Sequence, residues 1–432
     1  MTGAAGLSAP GASLSPALLD ATERAVADVL RLEGPADSAL RAFFRARPKL
    51  GRRDRGLIAE TAFDVLRHRR RYGHLAQGLR GALPRRLAAL SVATRLGLAA
   101  LEGWRLAPGE LDALRAALAT DPAGLPQPVR LSLPDWLHEA LLAQAAADGE
   151  PDPAAQVERI GQALLEPAPL DLRVNLLKSD RQSLRAELAE AGFEAEPLAE
   201  PPTALRLRGR PAIDRTPAHE RGAFEVQDAG SQRLVAFAAP KRSQTVVDFC
   251  AGAGGKTLAM AAAMRSSGQV FACDVSAARL ARLGPRLARS GASNVQPIRI
   301  EHEDDPKLRR LAGRADLVLV DAPCSGTGTL RRNPELKWRM QPGAIDELGS
   351  RQLAILSAAA RLVARGGALV YATCSLLQAE NEAVVQAFSA AHPGFATPVF
   401  LRLRPDIDQT DGFFAARWIR RDAVAPPTTG HD

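Results

Sequence analysis

From residue 16 to about 148, apolar residues recur at three- and four-residue spacing, the pattern of helices with one buried face. Pro16 to Leu32 and Asp54 to Arg71 are the clearest cases. In the second, Leu57, Ile58, Ala62, Val65 and Leu66 form one stripe, and Arg67, Arg69, Arg70 and Arg71 close the helix where cations suit its dipole. Gly81–Pro84 and Pro108–Gly109 punctuate further Ala/Leu-rich helices, so this part reads as an all-α bundle. Asp148 to Pro153 reads as a linker. Leu170 to Leu176 is then strand-like and Arg181 to Ala191 helical, with short strands near Phe193–Pro197 and Ala204–Leu207. From Thr245 short apolar strands alternate with helices, which predicts right-handed crossovers and a largely parallel sheet. The strands are expected at Thr245–Phe249, Gln269–Asp274, Gln296–Ile300, Ala315–Asp321 and Ala368–Thr373, with a closing pair at Val399–Leu403 and Gly412–Ile419. The expected architecture is multidomain: helical bundle over 16–148, small α+β, RRM-like lobe over 154–235, and α/β Rossmann-like domain over 236–422.

Composition narrows the class. At 432 residues and 46% hydrophobic, the chain can bury several cores, and no apolar run reaches the ~20 residues of a membrane span. The start, MTGAAGLSAPGASLSPALLD, lacks the basic and apolar regions of a secretory signal and reads as a small-residue tail, so a cytoplasmic protein is expected. The four cysteines, Cys250, Cys273, Cys324 and Cys374, are too far apart for C-x-x-C pairs, and no metal is expected. Net charge is +8, yet residues 41–100 alone hold 15 basic and 3 acidic residues. Such a band favours a polyanionic partner through counterion release, against the plainer reading of a solvated helix face.

The first strand of the sheet runs into Asp248-Phe249-Cys250-Ala251-Gly252-Ala253-Gly254-Gly255-Lys256-Thr257 and a helix. A glycine-rich turn there brings amide N–H groups close to a ligand. It fits neither named nucleotide motif: Cys250 stands where a Walker A loop begins with glycine, and Thr257 where G-x-G-x-x-G needs its third. The next strand ends in Asp274, 26 residues after Asp248, near the separation of an acid that bonds ribose hydroxyls. The fourth strand ends in Asp321-Ala322-Pro323-Cys324 and the fifth in Thr373-Cys374, so both thiols leave the carboxyl ends of neighbouring strands, where open α/β sheets hold their ligands.

On these segments the chain strongly resembles the RNA cytosine-5 methyltransferase family, in its ribosomal small-subunit branch with an N-terminal NusB-like domain. The matching motifs are DFCAGAGGKT at 248–257, DAPCSGTG at 321–328, RRNPELKW at 331–338 and ATCS at 372–375, with Gln227–Gln232 resembling a segment near the cofactor. The resemblance implies S-adenosylmethionine as methyl donor and a cytosine in RNA as acceptor, most commonly in 16S ribosomal RNA. Carbon 5 of cytosine is a weak nucleophile until a thiolate adds at carbon 6. By resemblance Cys374 is that nucleophile, Asp321 bonds the ring edge at N3 and N4, and Cys324 assists loss of the carbon-5 proton and release of the RNA. The backbone from Cys250 through Ala251, Gly252, Ala253, Gly254 and Gly255 to Lys256 would wrap the cofactor, with Asp274 on the ribose and Asp321 also nearby. Gly252-Ala253 departs from the family's Ala-Pro, and the acid after the third strand stays open within Glu301–Asp305.

Arg331, Arg332, Lys337 and Arg339 follow the Cys324 loop and are expected, with Arg69, Arg70 and Arg71 of the bundle, to meet RNA phosphates or to be plain surface charge. A monomer acting on RNA is expected; transfer RNA as substrate and a non-catalytic ribosome-assembly factor remain the alternatives. A DNA cytosine-5 methyltransferase would need Pro-Cys-Gln, where this chain has Pro323-Cys324-Ser325.

Overall fold

The computed structural model describes residues 13–104 and 106–422; the amino-terminal tail as far as residue 12 lies outside them. Contacts divide the chain into two units. The first holds the described residues as far as Pro167 together with Thr329–Pro342; the second holds Ala168–Gly328 and the described residues from Gly343 on. The helical unit thus runs past the linker expected at 148–153, because the helix Pro153–Leu165 packs on the helix Asp135–Ala147 and Glu158 pairs with Arg130 at 2.7 Å. The expected lobe and Rossmann-like domain fall together in the second unit.

The helical unit buries the stripe that its sequence announces: Leu57, Ile58, Ala62, Val65 and Leu66 are all core, packed with Leu19, Val26 and Leu90 or with Phe43. The helix expected at 54–71 is interrupted. It runs from Arg52 to Arg67, His68 leaves helical geometry (φ −105°, ψ 17°), and a second helix covers Arg69–Leu75. Arg69, Arg70 and Arg71 therefore open a helix instead of closing one, and the dipole does not favour them there. Arg70 donates to the Leu133 carbonyl (2.6 Å) and Asp135 (2.7 Å), while Arg69 lies over the Trp338 ring.

The second unit begins with a four-stranded antiparallel sheet, β1 (Leu170–Val174), β2 (Ala195–Pro197), β3 (Ala204–Leu207) and β4 (Phe224–Val226), in the order β2-β3-β1-β4. At three residues, β4 is too short to show alternation in the sequence. The main sheet has β5 (Thr245–Asp248), β6 (Gln269–Asp274), β7 (Val295–Arg299), β8 (Ala315–Asp321), β9 (Val363–Thr373), β10 (Val399–Leu403) and β11 (Phe413–Ile419), ordered β10-β11-β9-β8-β5-β6-β7. The five strands from β9 to β7 are parallel, β11 runs antiparallel to β9 and β10 antiparallel to β11, so the sheet is Rossmann-like. Buried on both faces, β8 and the end of β9 read as unbroken apolar runs. The expected start of β9 at 368 comes after its true start, because Gly366 and Gly367 break the run where the register with β8 shifts.

Paired charges hold the small sheet together and tie it to the helix Ala277–Ser290 beside the main sheet. Glu225 on β4 takes Arg286 (2.8 Å) and Arg289 (2.6 Å); Asp171 on β1 takes Arg206 (2.7 Å) and the amide of Ala229. Arg286 also donates to the Ala253 carbonyl at 2.7 Å, tying β4 to the glycine loop after β5. Among the described residues no helix is long and apolar enough to cross a membrane.

Candidate active site

Three carboxylates end three adjacent parallel strands: Asp248 on β5, Asp274 on β6 and Asp321 on β8. Between the first two lies the glycine loop. Gly252 and Gly254 hold φ of +56° and +81°, and a Cβ on Gly254 would sit 2.2 Å from the Leu283 side chain, so this turn requires glycine. Asp274 fixes the loop from below, accepting from the amides of Gly252 and Ser276, both at 2.7 Å. The helix Gly255–Ala263 starts at Gly254 with no side-chain cap, so no side chain answers its first-turn amides there. Asp248 is buried; it accepts from the Thr257 hydroxyl at 2.6 Å, and its other oxygen, Oδ1, has no hydrogen-bond partner among the described residues. Burial pushes the Asp248 carboxyl up to about 7, the Thr257 hydroxyl opposes this, and Asp321 adds to it.

Lys256, in the first turn of that helix, reaches across to Asp321 at 2.6 Å and lies over the Phe413 ring. Burial would lower its ammonium, but the Asp321 charge and hydrogen bond more than reverse this and raise it. Beyond Asp321 the two expected thiols meet: Cys324 Sγ and Cys374 Sγ are 3.3 Å apart. The hydrogen bond with Cys324, then burial, hold the Cys374 thiol well above its ordinary range, while Lys256 draws it down. Cys273 lies fully buried in the sheet core, and Cys250 is half-buried with burial pushing its thiol well up. Cys374, Cys324, Asp321, Lys256 and the loop 250–256 thus share one region, with Asp274 supporting the loop.

The candidate RNA cations divide. Lys337 is 2% exposed, and its ammonium donates to the Arg67 (2.7 Å) and Ser132 (2.9 Å) carbonyls inside the helical unit. It presents no charge to a phosphate, which corrects the expectation from sequence. Arg331 is buried as well, its carbonyl accepting from Arg67. Arg332 is half-buried and Arg339 exposed.

Four residues that the sequence reading passed over organise the two thiols. Glu380, fully buried, accepts from the Ser325 amide (2.8 Å) and hydroxyl (2.5 Å), the Ser375 hydroxyl (2.5 Å) and Gln352 (3.0 Å). Thr327 accepts from the Leu376 amide at 2.8 Å, and Asn381 donates to the Ser375 carbonyl at 3.0 Å. The only signal in the sequence was the repeated Cys-Ser, at 324–325 and 374–375.

The uncapped helix start offers amide donors to a carboxylate, and the carboxylates that end β6 and β8 offer acceptors to hydroxyls and to a cationic centre such as a sulfonium. S-adenosylmethionine fits these residues, with Gly252–Lys256 and Asp321 placed to hold it. Fold and site define a methyltransferase. The 16S rRNA methyltransferase RsmB/F description matches residues 235–419, and the ferredoxin-like domain of RsmF/B-like methyltransferases matches 133–214. A ribosomal RNA small subunit methyltransferase B from Sodalis glossinidius is 37% identical over 304 residues, 68% of this chain and 67% of that one. A probable one from Synechocystis is 36% identical over 66% of each chain. Among solved structures, PH0851 superposes with a TM-score of 0.76 at 25% identity, over 95% of this chain and 100% of that one. A methyltransferase homolog from Pyrococcus horikoshii gives 0.58 at 28% identity, over 70% and 100%. The chain belongs to the RsmB/F family of RNA methyltransferases and is S-adenosylmethionine-dependent.

Proposed function

We propose that this enzyme methylates carbon 5 of a cytosine in 16S ribosomal RNA through a covalent adduct on Cys374. The observation that carries the reading is the pair of sulfurs 3.3 Å apart beside the Lys256–Asp321 ion pair. Small-subunit ribosomal RNA as substrate is supported by the names of the relatives. The enzyme acts as a monomer in the cytoplasm. Its helical unit is the NusB-like RNA-binding part, meeting phosphates through the exposed Arg41, Arg45, Lys49, Arg52 and Arg53 and through Arg339.

Bound S-adenosylmethionine supplies an electrophilic methyl group on sulfonium, held by residues 250–256, Asp274 and Asp321. The Cys374 thiolate adds to carbon 6, and the electron pair displaced from the 5,6 double bond makes carbon 5 nucleophilic. Asp321 accepts from the N4 amino group and from a protonated N3, and so favours the ring form that takes up the electron pair. Once carbon 5 carries its methyl group, Cys324 takes the carbon-5 proton, and the bond from Cys374 to carbon 6 breaks by β-elimination. The thiol proton of Cys374 goes to solvent water before addition, and Cys324 takes the carbon-5 proton as a thiolate that has likewise given its own to water; Lys256 is the cation that favours the Cys374 thiolate.

Tritiated S-adenosylmethionine and RNA from a strain lacking the gene test the reading, with bisulfite sequencing to map 5-methylcytosine. One new site in 16S RNA is expected. Incorporation at another base or position of the ring would overturn it. The Cys324→Ala enzyme is expected to accumulate a protein–RNA adduct stable on denaturing gels, whereas Cys374→Ala forms none.

A further inference from the structure

Cys324 and Cys374 each precede a serine, and both serine hydroxyls end on one oxygen of Glu380: Ser325 Oγ and Ser375 Oγ each lie 2.5 Å from Oε2. The other oxygen, Oε1, takes the Ser325 amide at 2.8 Å and Gln352 Nε2 at 3.0 Å. Gln352 in turn donates to the Pro323 carbonyl at 3.0 Å, and Tyr371 of β9 donates to the Glu380 carbonyl at 2.5 Å. A carboxylate that is 0% exposed is costly to hold without a cation, unless its lone pairs are filled by oriented donors. Here four neutral donors fill them, drawn from the loop after β8, the loop after β9 and the helix Gly343–Ala360. No neutral side chain of this size accepts at both ends. An amide must turn its NH2 either toward two N–H donors or toward two hydroxyls, which must then reverse to accept from it and turn their own protons to each other and to Thr327, 3.2–3.3 Å away.

We propose that Glu380 is the positioning residue of the two thiols: its carboxylate locks the loops carrying Cys324 and Cys374 together and so sets the separation of their sulfurs. It touches neither substrate nor sulfur and acts through Ser325 and Ser375. Its consequence for turnover rests on the roles proposed for the two cysteines; its consequence for their geometry does not. The lock serves the reaction because one sulfur must reach carbon 6 while the other reaches the proton on carbon 5, two adjacent ring atoms. A shift of about 1 Å in either loop costs on the order of a hundredfold in such a site.

The test uses the full chain and two variants. Glu380→Gln keeps the shape and removes the charge; Ser375→Ala removes one hydroxyl and changes no charge. Three quantities are measured for each: kcat and KM with a 16S RNA transcript, thermal midpoint with S-adenosylmethionine affinity, and the rate at which diamide oxidises Cys324 and Cys374 to a disulfide. Diamide takes up the two protons and two electrons, and peptide mapping identifies the bond. In Glu380→Gln we expect kcat and the disulfide rate each to fall at least tenfold, with KM and cofactor affinity within twofold of the parent. Ser375→Ala should move both rates in the same direction by about threefold. Unchanged kcat and disulfide rate in both variants would overturn the proposal. So would a Glu380→Gln protein whose midpoint and cofactor affinity collapse while Ser375→Ala keeps both rates at parental level, since Glu380 would then serve only the fold. If the parent enzyme methylates no cytosine, the reading of function fails, and the disulfide rates alone still decide the role of Glu380.

Discussion

The proton on Cys374 is held by its neighbour. Cys324, at 3.3 Å, is the first cause that lifts the Cys374 thiol, and burial is the second; Lys256 works against both. A raised acid pKa keeps the thiol neutral to higher pH, so removing Cys324 must move its titration down and removing Lys256 must move it up. The pH dependence of iodoacetamide alkylation, read on the Cys374 peptide by mass spectrometry, is expected to show a lower midpoint in Cys324→Ala and a higher one in Lys256→Met. Coincident midpoints would mean that neither group governs the nucleophile. Asp321, Cys324, Cys374 and Lys256 were legible before the structure, because each ends an apolar strand or opens the helix after one, and strand ends converge in a parallel sheet. Glu380 was not. Its partners Ser325, Gln352 and Ser375 span 50 residues of sequence with no periodicity, and Glu380, one of two acids in LLQAENE, looks like helix-surface charge.

Among the elements, the segment Thr329–Pro342 shows how far a motif's neighbourhood misleads. Its cations follow the Cys324 loop in sequence, yet the segment belongs to the helical unit. There Trp338 donates to the Leu66 carbonyl (2.7 Å), Lys337 to those of Arg67 and Ser132, and the Ala36 amide to Glu335 (3.3 Å). The Leu66 and Arg67 carbonyls lie where helix Arg52–Arg67 ends, and Trp338 and Lys337 supply donors that the helix itself lacks. Periodicity alone carried the apolar stripe over 57–66 correctly but continued it through His68, because the arginines that follow suit a helix as well as an end. Burial lowers the Lys337 ammonium well below its ordinary range, and Arg67 adds to this. Lys337→Ala leaves two buried carbonyls unanswered at about 1–3 kcal/mol each. Calorimetry of the full chain should show the helical unit melting lower, while the slope of log affinity for RNA against log salt stays at the parental value. A slope reduced by about one would return Lys337 to the phosphate contacts.

Across the whole molecule, the basic excess lies in residues 41–100 of the helical unit. The 15 cations of residues 41–100 are not equivalent. Arg69 is spent on Trp338, Arg70 on Asp135 and the Leu133 carbonyl, Arg67 on the Arg331 carbonyl, Arg86 on the Ala76 carbonyl, and Arg95 on Glu60 and Thr61. Arg41, Arg45, Lys49, Arg52 and Arg53 are exposed, along the helix Ala36–Arg45, the turn after it and the start of the next helix. Counterion release depends on cations that can approach a phosphate, with about 0.7 of salt slope for each contact to single-stranded RNA. Replacing Arg45, Lys49 and Arg53 by alanine is therefore expected to flatten the slope by about two and weaken binding at 50 mM salt more than at 200 mM. Replacing Arg69, Arg70 and Arg71 should change the slope by less and lower the melting temperature more, because these side chains hold the fold. Filter binding of a 16S RNA transcript over that salt range separates the two sets. A larger loss of slope from the second set would put the RNA on the Arg69–Arg71 helix, as the sequence alone suggested. Equal slopes in both variants would leave the band as a solvated face and move RNA recognition to the second unit.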